Sequence, residues 1–204
     1  MGKHGDEYPR VPRDDYPTPA WVIDALAEHV ELRGLTILEM ACGKEGRMSE
    51  ALKAAGCARV YSSDIVNGYA GQDEVLDFLS GRLPGLPHCD AAVTNPPFGP
   101  RGKTAEAFIT RSLQLLTSGY TDFVALLLPH DFDSAKTRTH LFERCPQFIG
   151  KITLRRRVKW FEHSDLVRRK RHPKENTDWY LFKRGSQRDR RPPFILYAPG
   201  SHKG

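Results

Sequence analysis

Apolar residues along this chain alternate between short and long segments. The short ones have the continuous apolar character of buried strands bounded by turns, at 36–40, 59–65, 89–95 and 122–129. Between them lie segments with apolar residues at every third or fourth position, which is typical of amphipathic helices, at 20–32, 47–55, 73–79 and 103–116. Strands that alternate with helices pair in parallel and carry helices on both faces. The pattern therefore predicts a doubly wound α/β fold.

The alternation ends after residue 141. Segments 151–161 and 177–182 read as strands with no clear helix between them, which predicts an antiparallel edge pair. The charged segment 163–176 cannot bury enough apolar surface to order itself, so we expect a mobile basic loop. Segment 191–197 fits either one more edge strand or a docked extension. The predicted fold is Rossmann-like, with seven mostly parallel strands in one domain over 1–184 and a basic extension over 185–204.

Composition narrows the class of protein. The 204 residues are 39% hydrophobic and 27% charged, as in one globular domain. No run of eighteen apolar residues is present and the N-terminus is polar, so neither a membrane span nor a secretory signal is predicted, and a cytoplasmic protein is the expectation. The four cysteines are single, without a C-x-x-C pair. A disulfide framework and a zinc ribbon are therefore not expected, and no metal site is predicted.

The charge points to a class of partner. The formal net charge is +6, and the basic excess lies late in the chain, at 155–157, 168–171 and 188–191. Such an excess suits a polyanionic partner, although it says nothing about the fold. For any one of these clusters, a solvated surface is an equally good explanation.

A glycine-containing turn follows the first predicted strand. Glycine lets a ligand approach the backbone, and the helix that follows offers free N–H groups. Only Gly43 and Gly46 are present, so the G-x-G-x-x-G cradle of a pyrophosphate is not predicted. Asp64 ends the second strand, twenty-one residues beyond Gly43, where a carboxylate can bind both ribose hydroxyls. A nucleoside cofactor without a diphosphate fits this pattern, and Asp77 beside Phe78 is either its adenine contact or a surface carboxylate.

The sequence Asn95-Pro96-Pro97-Phe98 directly follows the third predicted strand. Proline cannot continue a central ladder, so these residues are expected at the strand's carboxyl end. In doubly wound sheets this location lies across one crevice from the Gly43 loop. Two prolines remove two N–H donors and leave carbonyl oxygens and the Asn95 amide oxygen exposed to a ligand. The pattern predicts a rigid loop lined with hydrogen-bond acceptors.

Such a loop suits the alkylation of an exocyclic amino group, whose lone pair is delocalised into its ring. If Oδ1 of Asn95 and the Pro96 carbonyl each accept one N–H, the nitrogen is drawn towards tetrahedral geometry and can attack an electrophilic methyl group. Phe98 can stack on the base, a contact worth roughly 1–3 kcal/mol. The competing interpretation is a proline turn that merely ends a strand.

The sequence Gly102-Lys103-Thr104 looks like the end of a phosphate-binding P-loop. The first glycine of that motif would have to stand where Pro97 stands, and prolines remove the N–H donors that a phosphate needs. A kinase or an ATPase is therefore disfavoured. Arg101 and Lys103 are predicted either to lie near a nucleic-acid backbone or to have no role.

Four motifs, in this order, resemble the class I S-adenosylmethionine-dependent methyltransferases, and within them the small phage- and prophage-type adenine-N6 DNA methyltransferases. They are YPTP with the nearby tryptophan (16–21), ILEMACGKEGRMSEAL (37–52), VYSSDI (60–65) with the following Asp77-Phe78, and VTNPPF (93–98). RRRVKWFEHSD and TDWYLFKR are similar to the closing strand pair of these enzymes. The resemblance covers most of the chain.

The resemblance implies S-adenosyl-L-methionine as the cofactor and DNA as the partner, with the target adenine flipped out or single-stranded. The implied cofactor contacts are Tyr16, Thr18, Pro19, Glu39, Ala41, Gly43, Asp64, Ile65, Asp77, Phe78 and Asn95. The implied catalytic residues are Asn95, Pro96, Pro97 and Phe98. The expected nucleic-acid contacts are Arg101, Lys103, Arg168, Arg169, Lys170 and Arg171.

Several alternatives stay open on the sequence. RNA methyltransferases that modify adenine N6 or guanine N2 share the Asn-Pro-Pro-Phe motif, and glutamine methyltransferases use a similar loop. Glu45 stands where the family usually has its second glycine, and Lys44 where it has an acidic or small residue. A catalytically inactive nucleic-acid-binding protein is therefore the alternative from another class. The sequence predicts neither the recognition site nor the oligomeric state.

Overall fold

The strands form one eight-stranded sheet. The computed structural model describes residues 14–83, 85, 88–160, 176–185 and 193–198. The strands are β1 Thr36–Glu39, β2 Arg59–Asp64, β3 Glu74–Val75, β4 Cys89–Thr94, β5 Thr121–Pro129, β6 Phe148–Leu154, β7 Thr177–Lys183 and β8 Phe194–Ala198. The helices are α1 Ala20–Ala27, α2 Arg47–Ala54 and α3 Lys103–Ser118. None of the described helices has the length and apolar composition that a membrane span requires.

The strand order is β3-β2-β1-β4-β5-β7-β6-β8. β1 pairs in parallel with both β2 and β4. β7 runs antiparallel to β5 and to β6, and β8 pairs in parallel with β6. The predicted doubly wound α/β fold is confirmed, with one strand more than the seven expected because Glu74–Val75 form a short strand where a helix was predicted. The order reverses at β1 and β4, so the loops after these two strands lie side by side.

Two cores cover the two faces of the sheet. On one face, α3 buries residues at helical spacing, including Phe108, Ile109 and Leu116, against β4 and β5. On the other face, α1 and α2 pack over the sheet. There the wholly buried Trp179 donates from Nε1 to the carbonyl of Val22 at 3.0 Å. The arrangement explains why residues 123–128 of β5 are all apolar, because a central strand is covered on both faces.

The predicted helix over 73–79 was wrong. The segment forms the short strand β3 and then a 3-10 turn, Phe78–Ser80. Polar side chains replace helical hydrogen bonds here: the Asp73 carboxylate accepts from the N–H of Ser62 at 2.8 Å, and the Gln72 amide donates to the carbonyl of Asp64 at 3.2 Å. Leu76 and Phe78 alternate inwards, with Val75 outwards. This alternation with a period of two is typical of a strand and was present in the sequence.

The predicted strand over 151–161 was placed too late. β6 begins at Phe148 and ends at Leu154, where the run of arginines leaves the sheet. Trp160 therefore lies outside the strand, half-buried, with its ring 5.7 Å from that of Tyr16 between centroids. α1 is also shorter than predicted. Residues 161–175, which include most of the expected mobile loop, lie outside the described residues.

Candidate active site

A cavity of about 600 Å³ opens at the carboxyl ends of β1, β2 and β4. Small-molecule sites span roughly 300–1,000 Å³, and carboxyl strand ends at a switch point are where this fold class binds its ligands. Residues from five segments line it: 14–18, 40–48, 64–66, 76–79 and the region after β4 at 95–108. Of the predicted cofactor contacts, the lining includes Tyr16, Thr18, Ala41, Gly43, Asp64, Ile65, Asp77, Phe78 and Asn95. Pro19 and Glu39 lie outside it.

The glycine loop is shaped by two left-handed residues. Gly43 has φ +65° and Gly46 has φ +58°, and Gly46 is the N-cap of α2. A Cβ at Gly46 would lie 2.5 Å from the ring of Tyr69, so this glycine permits a close aromatic contact. Glu45 turns its carboxylate to Nε of Arg47 at 2.6 Å. The second glycine lies one position later than in the related family, and it serves as the N-cap from which α2 begins.

Asp64 supports the glycine loop and faces the cavity. Its Oδ2 accepts from the N–H of Gly43 at 2.9 Å, and its Oδ1 accepts from the N–H of Val66 at 2.9 Å. Each carboxylate oxygen has a second lone pair, so both remain acceptors for a ligand hydroxyl. The backbone bonds hold the carboxylate in one orientation at the end of β2.

Glu39 lies behind the cavity wall and is wholly buried. Its Oε1 accepts from the N–H of Ala41 at 3.1 Å and from the hydroxyl of Thr94. Its Oε2 has no hydrogen-bond partner among the described residues. One carboxyl group therefore ties the loop after β1 to the residue that precedes Asn95. Burial raises the pKa of Glu39 to about 8.

Changing Glu39 to glutamine is expected to alter the pH dependence of stability. Because the folded-state pKa of Glu39 is about 8 and its ordinary value is about 4.5, the folded chain holds a proton that the unfolded chain has lost between these values. The free energy of unfolding should therefore fall as pH rises through this window, and Glu39→Gln should remove that fall. Urea unfolding at pH 5.0, 6.5 and 8.5 measures it. Parallel curves for both proteins would contradict the assignment.

The far end of the cavity is apolar with one carboxylate. Ile65 is 59% exposed and Leu79 is 38% exposed, although both are aliphatic and line the cavity. Phe78 packs on Phe108, with centroids 5.1 Å apart. Asp77 accepts from the N–H of Leu79 at 2.9 Å and caps the 3-10 turn. This wall combines a flat apolar surface with a fixed acceptor, as a purine ring requires.

Asn95 lines the same cavity as Asp64. Its Nδ2 lies 3.1 Å from Oγ1 of Thr18 and 3.5 Å from the carbonyl of Tyr16. A carbonyl only accepts, so the amino end of the amide must face Tyr16 and Oδ1 must point the other way. In the described part of the chain, no donor reaches this Oδ1. The arrangement leaves one acceptor oriented and free.

The rest of the Asn-Pro-Pro-Phe loop is only partly in the cavity. Pro97 lines it, whereas Pro96 is buried and Phe98 is half-buried against the core on the α3 side. The carbonyl of Phe98 accepts from the N–H groups of Thr104 and Ala105 at 3.2 and 3.3 Å. The loop is therefore anchored to the first turn of α3.

The N-terminal segment crosses this loop. Oδ2 of Asp14 accepts from the N–H of Gly99 at 2.7 Å, and the hydroxyl of Thr18 is 4% exposed beneath Asn95. Pro19 is the N-cap residue of α1. Asp14 and Asp15 line the cavity, and no sequence signal had marked them.

Known proteins share this architecture. No protein-family model and no curated protein sequence matches the chain. A candidate RNA methyltransferase from Pyrococcus horikoshii superposes with TM-score 0.61 at 14% identity over 88% of this chain and 91% of that chain. A candidate class I S-adenosylmethionine-dependent methyltransferase from Listeria monocytogenes gives 0.61 at 16% identity over 96% and 67%. The chain has the class I methyltransferase fold.

A larger protein contains the same unit. The methyltransferase subunit of a type I restriction-modification system from Streptococcus thermophilus superposes with TM-score 0.55 at 15% identity, over 84% of this chain and 45% of that chain. At these identities the likeness establishes the methyltransferase fold. The ligand of the cavity has to be inferred from the residues that line it.

Within this methyltransferase fold, Arg138 holds the segment after the Asn95 loop in place, and no sequence pattern had marked it. Its Nε donates to Glu106 at 2.9 Å, and its two terminal nitrogens donate to the carbonyls of Phe132 and Arg101 at 3.0 and 2.9 Å. The guanidinium also lies 3.8 Å from the Phe132 ring centroid. The turn Pro100–Gly102 is thus bound to α3 and to the turn after β5.

The expected nucleic-acid contacts are only partly described. Arg101 is exposed, and Lys103 is exposed but donates to Glu106 at 2.8 Å. Arg168, Arg169, Lys170 and Arg171 lie outside the described residues. The role of all six stays a prediction.

Proposed function

We propose that the protein binds S-adenosyl-L-methionine in the 600 Å³ cavity and methylates the exocyclic N6 amino group of adenine in DNA. One observation carries the proposal. Asp64 and Asn95 line the same cavity, and the amide oxygen of Asn95 is oriented and receives no donor from the described residues. A protein that only bound nucleic acid would not need this acceptor beside a nucleoside-sized cavity.

The donor set fits the cofactor. The two Asp64 oxygens suit ribose hydroxyls, and Ile65, Phe78 and Asp77 suit an adenine ring and its amino group. The buried Oε2 of Glu39 lacks a partner among the described residues, and such an unsatisfied oxygen behind the cavity wall is consistent with a functional region. When bound, the cofactor supplies a methyl group on a positively charged sulfur.

The chain's own residues prepare the amine. Oδ1 of Asn95 accepts one N–H of the substrate amino group, and the Pro96 carbonyl accepts the other. These two bonds localise the lone pair on nitrogen, because an amine with both protons engaged is held out of conjugation with its ring. The amide of Asn95 is fixed by Thr18 and the Tyr16 carbonyl, so the geometry is set before the substrate arrives.

DNA is proposed as the polymer from the resemblance to adenine-N6 enzymes and from the basic excess of the chain. RNA is the outcome to be distinguished. Labelled-methyl transfer to DNA and RNA pools, followed by nucleoside analysis, identifies polymer, base and atom together. We expect N6-methyladenine in DNA. Label in RNA alone would show that RNA, and not DNA, is the substrate. If no methyl group is transferred and calorimetry detects no binding of millimolar cofactor, the protein would instead be a catalytically inactive nucleic-acid-binding protein.

Neutralising Arg168, Arg169, Lys170 and Arg171 is expected to weaken DNA binding and flatten its salt dependence. Each lost phosphate contact lowers the slope of log K against log salt by about 0.9 on duplex DNA. Binding titrations from 50 to 300 mM salt measure the slope. The matched control neutralises Arg59 and Arg82, which pair with Asp73 and Glu74 at the β2–β3 side of the sheet. An unchanged slope for the test variant would make the cluster a solvated surface.

A further inference from the structure

A cluster of charged and polar side chains lies at the carboxyl end of β5, outside the cavity. Its centre is Asp178 on β7, whose side chain is wholly buried. Oδ2 of Asp178 lies 2.8 Å from Nδ1 of His130, 3.3 Å from Oγ1 of Thr153 and 3.5 Å from Nζ of Lys151. None of these four residues lines the cavity.

His130 is held rigidly although its side chain is 50% exposed. The backbone N–H of His130 donates to the carbonyl of Asn176 at 2.9 Å. The backbone carbonyl of His130 accepts from Nζ of Lys151 at 3.0 Å and from the Tyr180 hydroxyl at 2.9 Å. The buried carboxylate takes the proton on Nδ1. In the neutral imidazole, the lone pair therefore sits on Nε2, at the exposed end of the ring.

Acidic and basic side chains lie around this ring. Asp178 contacts the His130 ring from β7. Asp131 and Asp133 lie in the turn that directly follows His130. The cations are Lys151 on β6, 3.1 Å from Asp133, and Arg157, which donates to the side chain of Asn176. Burial raises the pKa of Asp178, and Oδ1 lacks a partner among the described residues. Such a costly group is most often kept for function.

The His130 turn packs against the continuation of the catalytic loop. β5 is the neighbour of β4, with Leu126 opposite Thr94, and both strands end at the same edge of the sheet. A Cβ on Gly102 would lie 2.9 Å from the ring of Phe132, two residues beyond His130. Arg138 joins the Phe132 carbonyl to the Arg101 carbonyl. The turn that follows His130 therefore packs against the segment that follows the Asn95 loop.

We propose that His130, oriented by Asp178, is the catalytic residue that accepts the proton released when the amino group is methylated, an inference that rests on the proposed function. The nitrogen lone pair forms the N–C bond, and the C–S bond breaks with its electrons going to sulfur. The nitrogen then carries a positive charge until one proton leaves. Nε2 of His130 takes that proton and passes it to solvent from its exposed position.

The test is single-turnover methyl transfer from pH 5 to pH 9 with excess protein. For the wild type, we expect the rate to rise with pH as the imidazole loses its proton, and then to level off. His130→Gln should lose this rise and lower the plateau about 100-fold. Asp178→Asn should lower the plateau, because the carboxylate that orients the imidazole through Nδ1 is gone. Added imidazole should restore part of the rate of His130→Ala.

His140→Gln is the matched control, since His140 is exposed in the next 3-10 turn, Lys136–Leu141, and should behave as the wild type. A wild-type rate and pH profile for His130→Gln would overturn the inference. So would weaker substrate binding with an unchanged single-turnover profile, which would make His130 a binding contact. Either result leaves the proposed function standing. If the wild type transfers no methyl group to any nucleic acid, the proposed function fails instead.

Discussion

Replacing Asn95 with alanine is expected to lower the methyl-transfer rate by at least about 100-fold. The change removes the one oriented acceptor that the amide offers to the substrate, and preorganised polar groups at reacting atoms are worth this much or more in other enzymes. It also removes the bond to Thr18. Cofactor affinity should stay within about threefold, because Asp64 and the apolar wall remain. Single-turnover transfer and calorimetry with S-adenosylmethionine measure the two effects.

Two variants sharpen this result. Thr18→Val keeps Oδ1 of Asn95 but removes a partner that orients it, so the rate should fall less than in Asn95→Ala. Asn67→Ala alters an exposed asparagine shortly after β2 and should change neither rate nor affinity. Equal transfer rates for Asn95→Ala and the wild type would contradict the role of the amide.

Asp64→Ala is expected to weaken cofactor binding about 100-fold or more. The carboxylate is the proposed partner of the ribose hydroxyls, and hydrogen bonds to a charged group contribute about 1.5–3 kcal/mol each. The variant also leaves the N–H groups of Gly43 and Val66 without their acceptor, which loosens the loop. Calorimetry with S-adenosylmethionine and with S-adenosylhomocysteine measures both affinities.

Asp64→Asn separates the two contributions. Asparagine keeps one acceptor for the loop but loses the charge and one oxygen, so affinity should fall while the unfolding free energy stays closer to the wild type than in Asp64→Ala. Asp24→Ala, an exposed change in α1, is the control. Wild-type affinity for Asp64→Ala would exclude this carboxylate from the cofactor site.

The sequence could predict those parts of the site that lie at the carboxyl ends of strands. Gly43, Asp64 and Asn95 each directly follow or end a segment whose apolar pattern is clear, and parallel strands bring such positions to one edge. The extra strand β3 was missed because polar side chains of residues 72 and 73 bond the neighbouring backbone in place of a helix. The strand before Asn95 is therefore β4, and it pairs directly with β1.

Other contributors depend on contacts distant in sequence. Arg138 and His130 lie in a stretch of turns after β5 that has no helical or strand period, and contacts with Phe132 and Asp178 set their positions. Glu39 sits in the predicted strand end, but only the fold buries its carboxyl group and turns it to Thr94. No pattern along the chain reports burial of that kind.

The most direct test of the central claim follows the labelled methyl group atom by atom. Wild-type protein loaded with methyl-labelled S-adenosylmethionine is mixed in a single turnover with two single-stranded DNA oligonucleotides, one containing adenine and one containing purine, which lacks the amino group, in its place. We expect label on N6 of the adenine oligonucleotide and none on the purine oligonucleotide. Label on a ring carbon, or equal labelling of both strands, would contradict an amine activated by Asn95.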